Sequence, residues 1–346
     1  MKHSALRTAR IVLALAAAFC LAGVIAAGTG CSCSSNTAAN NDNTEEALNV
    51  SEKEVNEADV EAATPEPQTF LIIGNDYWEG YYETDRSDLM LLMRVDFEKG
   101  VINMVSVPRD ARYTWEDGTV TKANEVYASQ GAEGACKAVE QVTGCKVTNY
   151  INIGFDGLEA IVEQFGGLDM YVPRTITYTF YSKDHDAVTL NEGQQILDSW
   201  QTMVLCRART GYKNYSLDQD MMRQCVDRQM LIALMKQAFT DKTKAAELLV
   251  SLLPNVETNI DTATIKSWAE ALMKNDQLTV YATSGPTAGG IDADTQLWLC
   301  YDDPEAWAGL MEIFNQGGDT STYDACINTT EASDYPIRTT TVIDLK

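Results

Sequence analysis

Carboxylates and guanidinium groups recur between Phe70 and Asp110 at the places where apolar runs stop. Phe70-Leu-Ile-Ile-Gly-Asn leads into Asp76, Arg86-Ser-Asp88 precedes a second apolar run, and Val105-Ser-Val-Pro leads into Arg109 and Asp110. Further along come Arg207-Ala-Arg209, Asp220-Met-Met-Arg223 and Arg228-Gln229. Arginine presents a planar fork that matches phosphate oxygens, so several of them converging in an acidic protein call for an anionic ligand. Carboxylates beside a pyrophosphate suit magnesium, which keeps several waters and takes only one or two protein oxygens. The competing reading is ordinary ion pairing, Arg86 with Asp88 or Arg109 with Asp110, and surface pairs of that kind carry little energy.

Other chemistries are excluded by inventory. The chain contains only His3 and His185, so a histidine triad or a multi-histidine zinc site would rest on His185 alone. His185 itself sits in Lys183-Asp184-His185-Asp186, which reads as a solvated loop. There is no Walker loop, no Gly-x-Ser-x-Gly elbow and no dinucleotide fingerprint. A formal charge of −24 argues against nucleic acid as a partner.

The arginines and acids must be positioned by the elements around them. Residues 70–74 read as a buried strand, and 89–95 and 101–107 as two more joined across Glu98-Lys99-Gly100. Residues 124–130 and 133–142 have helical spacing, 147–153 alternates like a strand, and 157–165 is an amphipathic helix stopped by Gly166-Gly167. Helices are expected again over 219–239, 245–253, 262–273 and 304–314, with a strand over 278–283. This alternation predicts an α/β domain with a mixed central sheet and helices on both faces, an α-β-α layering. The apolar stretches 151–165 and 230–239 read either as plain core or as the lining of a channel.

The N-terminus reads as targeting. Lys2, Arg7 and Arg10 flank an apolar run from Ile11 to Ala27, close to the roughly 17 residues that a short spanning helix needs. Gly28-Thr29-Gly30-Cys31 offers the alternative of a lipoprotein signal with an acylated Cys31. Either way the chain is expected at the cell membrane, with its remaining residues on the extracytoplasmic face. The expected layout is a cytoplasmic flank over 1–10, a signal anchor or lipoprotein signal over 11–30, a disordered acidic linker over 31–68, a folded domain over 69–316 and a tail over 317–346.

In order and spacing the chain resembles the LytR-CpsA-Psr family of cell-envelope proteins. The residues that carry the likeness are Leu71-Ile-Ile-Gly-Asn-Asp76, Arg86-Ser-Asp88, Val105-Ser-Val-Pro-Arg-Asp110, Lys122-Ala-Asn124, Phe155-Asp-Gly157, Phe165-Gly-Gly167, Arg207-x-Arg209 and Arg228-Gln229. The resemblance implies a transferase. Such an enzyme moves a glycan phosphate from a polyprenyl-pyrophosphate-linked glycan to an acceptor hydroxyl on peptidoglycan or a surface protein, and releases polyprenyl phosphate. It implies Asp76 and Asp88 as ligands of Mg2+, and Arg86, Arg109, Arg207, Arg209 and Arg223 as holders of the pyrophosphate. Catalysis would then be positioning and charge stabilisation by groups that include Asp88, Arg109 and Asp110. Asp88 and Asp110 both stand as candidates for the base that activates the acceptor.

Two departures from the family pattern bear on geometry. Arg-Gln occurs at Arg228-Gln229, two residues later than expected, and also at Arg223-Gln224. Two helical positions rotate a side chain by about 200 degrees, so one of Arg223 and Arg228 faces the phosphates, and the preferred one is Arg223. Asp198-Ser-Trp-Gln-Thr-Met also stands as an insertion ahead of Arg207. Among the cysteines, Cys206 with Cys225 and Cys300 with Cys326 are candidate disulfides, and buried free thiols are the alternative. The competing functions are a pyrophosphatase acting on the same lipid and a non-catalytic glycolipid carrier or envelope regulator.

Overall fold

In a computed structural model of the chain, residues 64–77, 86–178, 187–208, 219–240, 256–324 and 336–345 are described. The segments 1–10 and 11–30, most of 31–68, the helix expected over 245–253, His185, Arg209 and Cys326 lie outside the described residues.

Phe70, Leu71, Ile72 and Ile73 leave no face for solvent, and all four are buried in β1 (Gln68–Asn75). A strand apolar on both sides must have cover on both sides. β2 (Ser87–Asp96) and β3 (Val101–Ser106) come next as the expected hairpin. β4 (Arg112–Thr114) and β5 (Val120–Lys122) form a small ribbon leading into α1 (Ala123–Thr143). The two helices expected there are both present within α1, separated at Gly131, whose φ of 65° breaks the helical geometry, and Gly144 ends the second in the left-handed region.

The chain continues with β6 (Tyr150–Ile153), α2 (Phe155–Phe165), β7 (Leu168–Val172), β8 (Ile176–Tyr178), β9 (Val188–Leu190) and β10 (Gly193–Leu197). After them stand α3 (Ser199–Arg207), α4 (Gln219–Thr240), β11 (Glu257–Thr258), α5 (Thr262–Leu272) and β12 (Gln277–Ser284). The last elements are β13 (Thr287–Ile291), β14 (Trp298–Asp302), α6 (Pro304–Asn315) and β15 (Thr339–Asp344). Among the described residues no helix is long and apolar enough to cross a membrane.

The central sheet runs β11-β6-β1-β2-β3-β12-β15. It is mixed: β1 is antiparallel to β2 and parallel to β6, while β3 is antiparallel to β2 and parallel to β12. Alternation along β1 and β2 divides the core in two. Phe70, Ile72, Leu91 and Met93 pack with α2, α4 and α5, while Leu71, Ile73, Met90 and Leu92 pack with α1 and α6. The fold is thus the expected α/β sandwich with helices on both faces.

Part of the tail set apart over 317–346 belongs to this sheet. β15 pairs antiparallel with β12 from Gln277↔Asp344 to Ala282↔Thr339 and covers what would otherwise be an open edge. Its Thr-rich sequence buries only Ile343 deeply within the strand, so it carries little hydrophobic signal of its own.

Candidate functional site

The site begins at an irregularity between β1 and β2. Gly74 pairs with Leu89 and Asn75 with Ser87, so Asp88 is the extra residue of a bulge, a device that re-aims a side chain at the end of a ladder. Gly74 is required there, since a Cβ would lie 2.9 Å from Leu89 Cβ. Just beyond, the Asp76 backbone N–H donates to the Arg86 carbonyl at 3.0 Å, and the Asp76 carboxylate accepts from the Arg86 backbone N–H at 2.8 Å. Asp76 and Asp88 therefore leave the sheet at the same strand ends.

Arg109 lies just after β3 and turns back over the bulge. Its Nη1 donates to Asp88 Oδ1 at 2.6 Å, and its Nε lies 3.2 Å from Asp220 Oδ1. Arg223 closes the figure, with Nη1 at 3.0 Å from Asp88 Oδ2 and Nη2 at 2.7 Å from Asp220 Oδ1. Asp88, Arg109, Asp220 and Arg223 thus form a ring of alternating charge, with Gln224 also donating to Asp220 at 3.3 Å. Burial works against the charge of Arg223, yet Asp220 and Asp88 hold it protonated more firmly than an ordinary arginine.

α4 supplies its half of the ring by periodicity. Asp220, Arg223, Asp227, Met230, Leu231 and Leu234 recur three or four residues apart and share one face, charged at the start of the helix and apolar beyond. From Arg223 onward that face forms one wall of a partly open cavity. Ile153 from β6 and Phe155, Leu158 and Ile161 from α2 form the opposite side, so both stretches that left core and channel open do line a cavity. Asp88, Arg207, Arg223 and Asp227 occupy its polar end.

Arg207 arrives on α3, a helix absent from the sequence reading. The inserted Asp198 is its N-cap, accepting from the Gln201 backbone N–H at 2.7 Å, while the Gln201 side chain accepts from the Asp198 N–H at 3.1 Å. The Asp-x-x-Gln spacing of a capping box was the available signal. Arg207 stands at the end of α3 with its guanidinium 4.7 Å from the Phe155 ring centroid.

Other candidates sit at the margin. Asp110 pairs with Lys122 at 3.0 Å, and its carbonyl accepts from the Cys300 N–H at 2.7 Å. Arg86 gives its backbone to Asp76 and leaves its side chain exposed. Arg228 is buried and turned elsewhere, donating to Ser106 Oγ at 2.6 Å, Ser284 Oγ at 3.0 Å and the Ile337 carbonyl at 2.8 Å. Cys206 and Cys225 are free thiols, which removes that disulfide: the Cys206 thiol lies against Met230 Sδ and Asp227, and Cys225 accepts from Arg228.

Asp227 is the site residue that sequence reasoning missed. It is 6% exposed, and burial pushes its carboxyl up to about 7 against the pull of Arg223, with Asp88 and Asp220 adding to the rise. Its place one helical turn after Arg223 was the signal. Among the described residues no three His, Cys, Asp or Glu side chains gather as a metal cage. A cation at Asp76 and Asp88 would take its remaining ligands from water and substrate, a donor set of hard oxygens that fits magnesium.

A model of the LytR_cpsA_psr family matches residues 29–305. The chain belongs to the LytR-CpsA-Psr family. Within it, 199 residues are 24% identical to the polyisoprenyl-teichoic acid–peptidoglycan teichoic acid transferase TagV of Bacillus subtilis (strain 168), covering 56% of this chain and 50% of that protein. A TagU of the same description from Halalkalibacterium halodurans is 27% identical over 198 residues, covering 56% and 62%. The matched stretch thus spans between half and two thirds of these LytR-CpsA-Psr relatives. The fold is shared with the crystal structure of B. subtilis TagV, at a TM-score of 0.60 and 21% identity over 73% of this chain and 97% of that one. TagT bound to LI-WTA gives 0.56 and 16%, over 73% and 90%.

Proposed function

We propose that this LytR-CpsA-Psr protein is a membrane-tethered phosphotransferase. It would move a glycan phosphate from a polyprenyl-pyrophosphate-linked glycopolymer to an acceptor hydroxyl in the cell envelope, on peptidoglycan or a surface protein. The observation that carries this reading is an apolar cavity that ends at clustered arginines: an isoprenoid tail fits the wall of Leu158, Ile161, Leu231 and Leu234, and a diphosphate fits Arg207, Arg223 and Arg109. The names of the TagV and TagU relatives, polyisoprenyl-teichoic acid–peptidoglycan transferases, agree with it.

Asp88 and Asp220 keep the arginines ordered by acting as their counter-anions, and an entering diphosphate competes for the same guanidinium forks. Asp76 and Asp88 would hold magnesium, which would neutralise charge on the phosphate oxygens. Arg109 and Arg223, already fixed by two partners each, would orient the reacting phosphorus at little entropic cost. Arg86 would add phosphate contacts on the outer side, Arg209 is a further candidate for holding the pyrophosphate, and Asp88 or Asp110 would take the acceptor proton. The basic and apolar N-terminus, or acylated Cys31, would keep the domain on the extracytoplasmic face where lipid carrier and acceptor meet.

The test is incubation of the full chain with a lipid-linked glycan and peptidoglycan in the presence of magnesium. A phosphodiester-linked product is expected, and its loss on Asp88→Ala or Arg109→Ala. Free phosphoglycan as the sole product would make the protein a pyrophosphatase, and turnover that survives both substitutions would overturn the site.

A further inference from the structure

The apolar and charged parts of the cavity meet at Asp227. On α4 it stands one turn after Arg223 and precedes Met230 and Leu231, so it lies where the tail of a prenyl diphosphate would join its first phosphate. The groups around it are Asp220 and Arg223 from α4, Asp88 from β2, and Cys206 and Arg207 from α3, while Arg228, turned away on α4, adds only a weaker electrostatic pull. The Cys206 thiol, itself buried, lies beside it. A carboxylate at this depth would repel the incoming diphosphate, whereas a neutral carboxyl can donate a hydrogen bond to it.

We propose that Asp227 is the proton donor to the departing polyprenyl phosphate, an assignment that rests on the transferase reading above. The acceptor oxygen bonds to the glycan-bearing phosphorus as the bond from that phosphorus to the bridging oxygen breaks. The bridging oxygen leaves on the polyprenyl phosphate and takes the Asp227 proton, while the acceptor proton passes to base or water. Asp227 then regains a proton from solvent when the product leaves. Protonation turns a dianionic leaving group into a monoanion, which an apolar-walled site tolerates far better. A carboxyl raised to about 7 is suited to the task, since a general acid works best with its pKa near the working pH.

Two measurements test this. In calorimetry near about pH 8, in buffers of different ionisation enthalpy, binding of a short-chain prenyl diphosphate takes up close to one proton more in the wild type than in Asp227→Asn, because the anion drives Asp227 to its neutral form. In the transfer assay the wild-type rate falls as pH rises through about 7, while Asp227→Asn is about 10²-fold slower, nearly unchanged in KM and without that alkaline limb. Asp227→Glu, which keeps an acid, recovers part of the rate and shifts the limb. A wild type that transfers, beside an Asp227→Asn that keeps both rate and limb, overturns this inference alone. A wild type that makes no phosphodiester product overturns the transferase reading as well.

Discussion

Arg223 and Arg228 stand on one helix, and the partners of each decide what its removal does. Arg223 divides its fork between two carboxylates at the cavity, so Arg223→Lys, which cannot span both, should weaken prenyl diphosphate binding by about tenfold or more in a titration. Arg228 donates to two serines and a carbonyl inside the protein. Arg228→Ala should cost about 2–4 kcal/mol in urea unfolding and leave the affinity of the surviving folded protein close to wild type. Asp227 gives a signature in stability. Its folded pKa lies above the ordinary 3.8, so the neutral form favours the fold, and its contribution is fully present below about pH 4 and lost as pH rises through about 7. Thermal unfolding of Asp227→Asn should therefore match the wild type in acid and gain on it progressively across that window. A constant difference would mean that the carboxyl titrates alike in the folded and unfolded states, with no raised pKa.

At the scale of elements, α4 and the outer strand of the sheet each make a separate demand. The cavity is a gap between α2 and α4, and filling it should discriminate by chain length. Leu234→Phe should preserve the fold at a cost of about 1–3 kcal/mol and reduce binding of long prenyl diphosphates more than of short ones, as measured by competition between the two. β15 has another role. It covers β12, and the neighbouring Ile337 carbonyl accepts from Arg228, so a chain shortened before residue 336 loses both. Its unfolding midpoint should drop, and the β12 amides should exchange faster with solvent. β1, β2, β3 and α2 were legible because their apolar runs and Gly punctuation are local properties. α3 was missed because its cap lay in what read as an insertion, and β15 because a polar edge strand is defined by the partner it covers.

For the whole molecule, a charge of −24 sets a repulsion that the fold must bear. Raising ionic strength from about 0.01 to about 0.15 M should raise the unfolding midpoint, and no change would show that the acids are already compensated locally. The amino-acid sequence by itself determined the family, the layered α/β class, and the acids and arginines from which the site is built, since periodicity and motif order are written along the chain. Only the tertiary structure decided that Asp88, Arg109, Asp220 and Arg223 close into one ring, that Arg228 turns away, and that Asp227 lies at the boundary between apolar wall and charged end. The physical reason is that a side chain's partners, burial and protonation depend on what other segments bring to within a few ångströms of it. Here those segments are β2, the turn after β3 and α4, and Asp88 and Arg223 stand 135 positions apart in the chain.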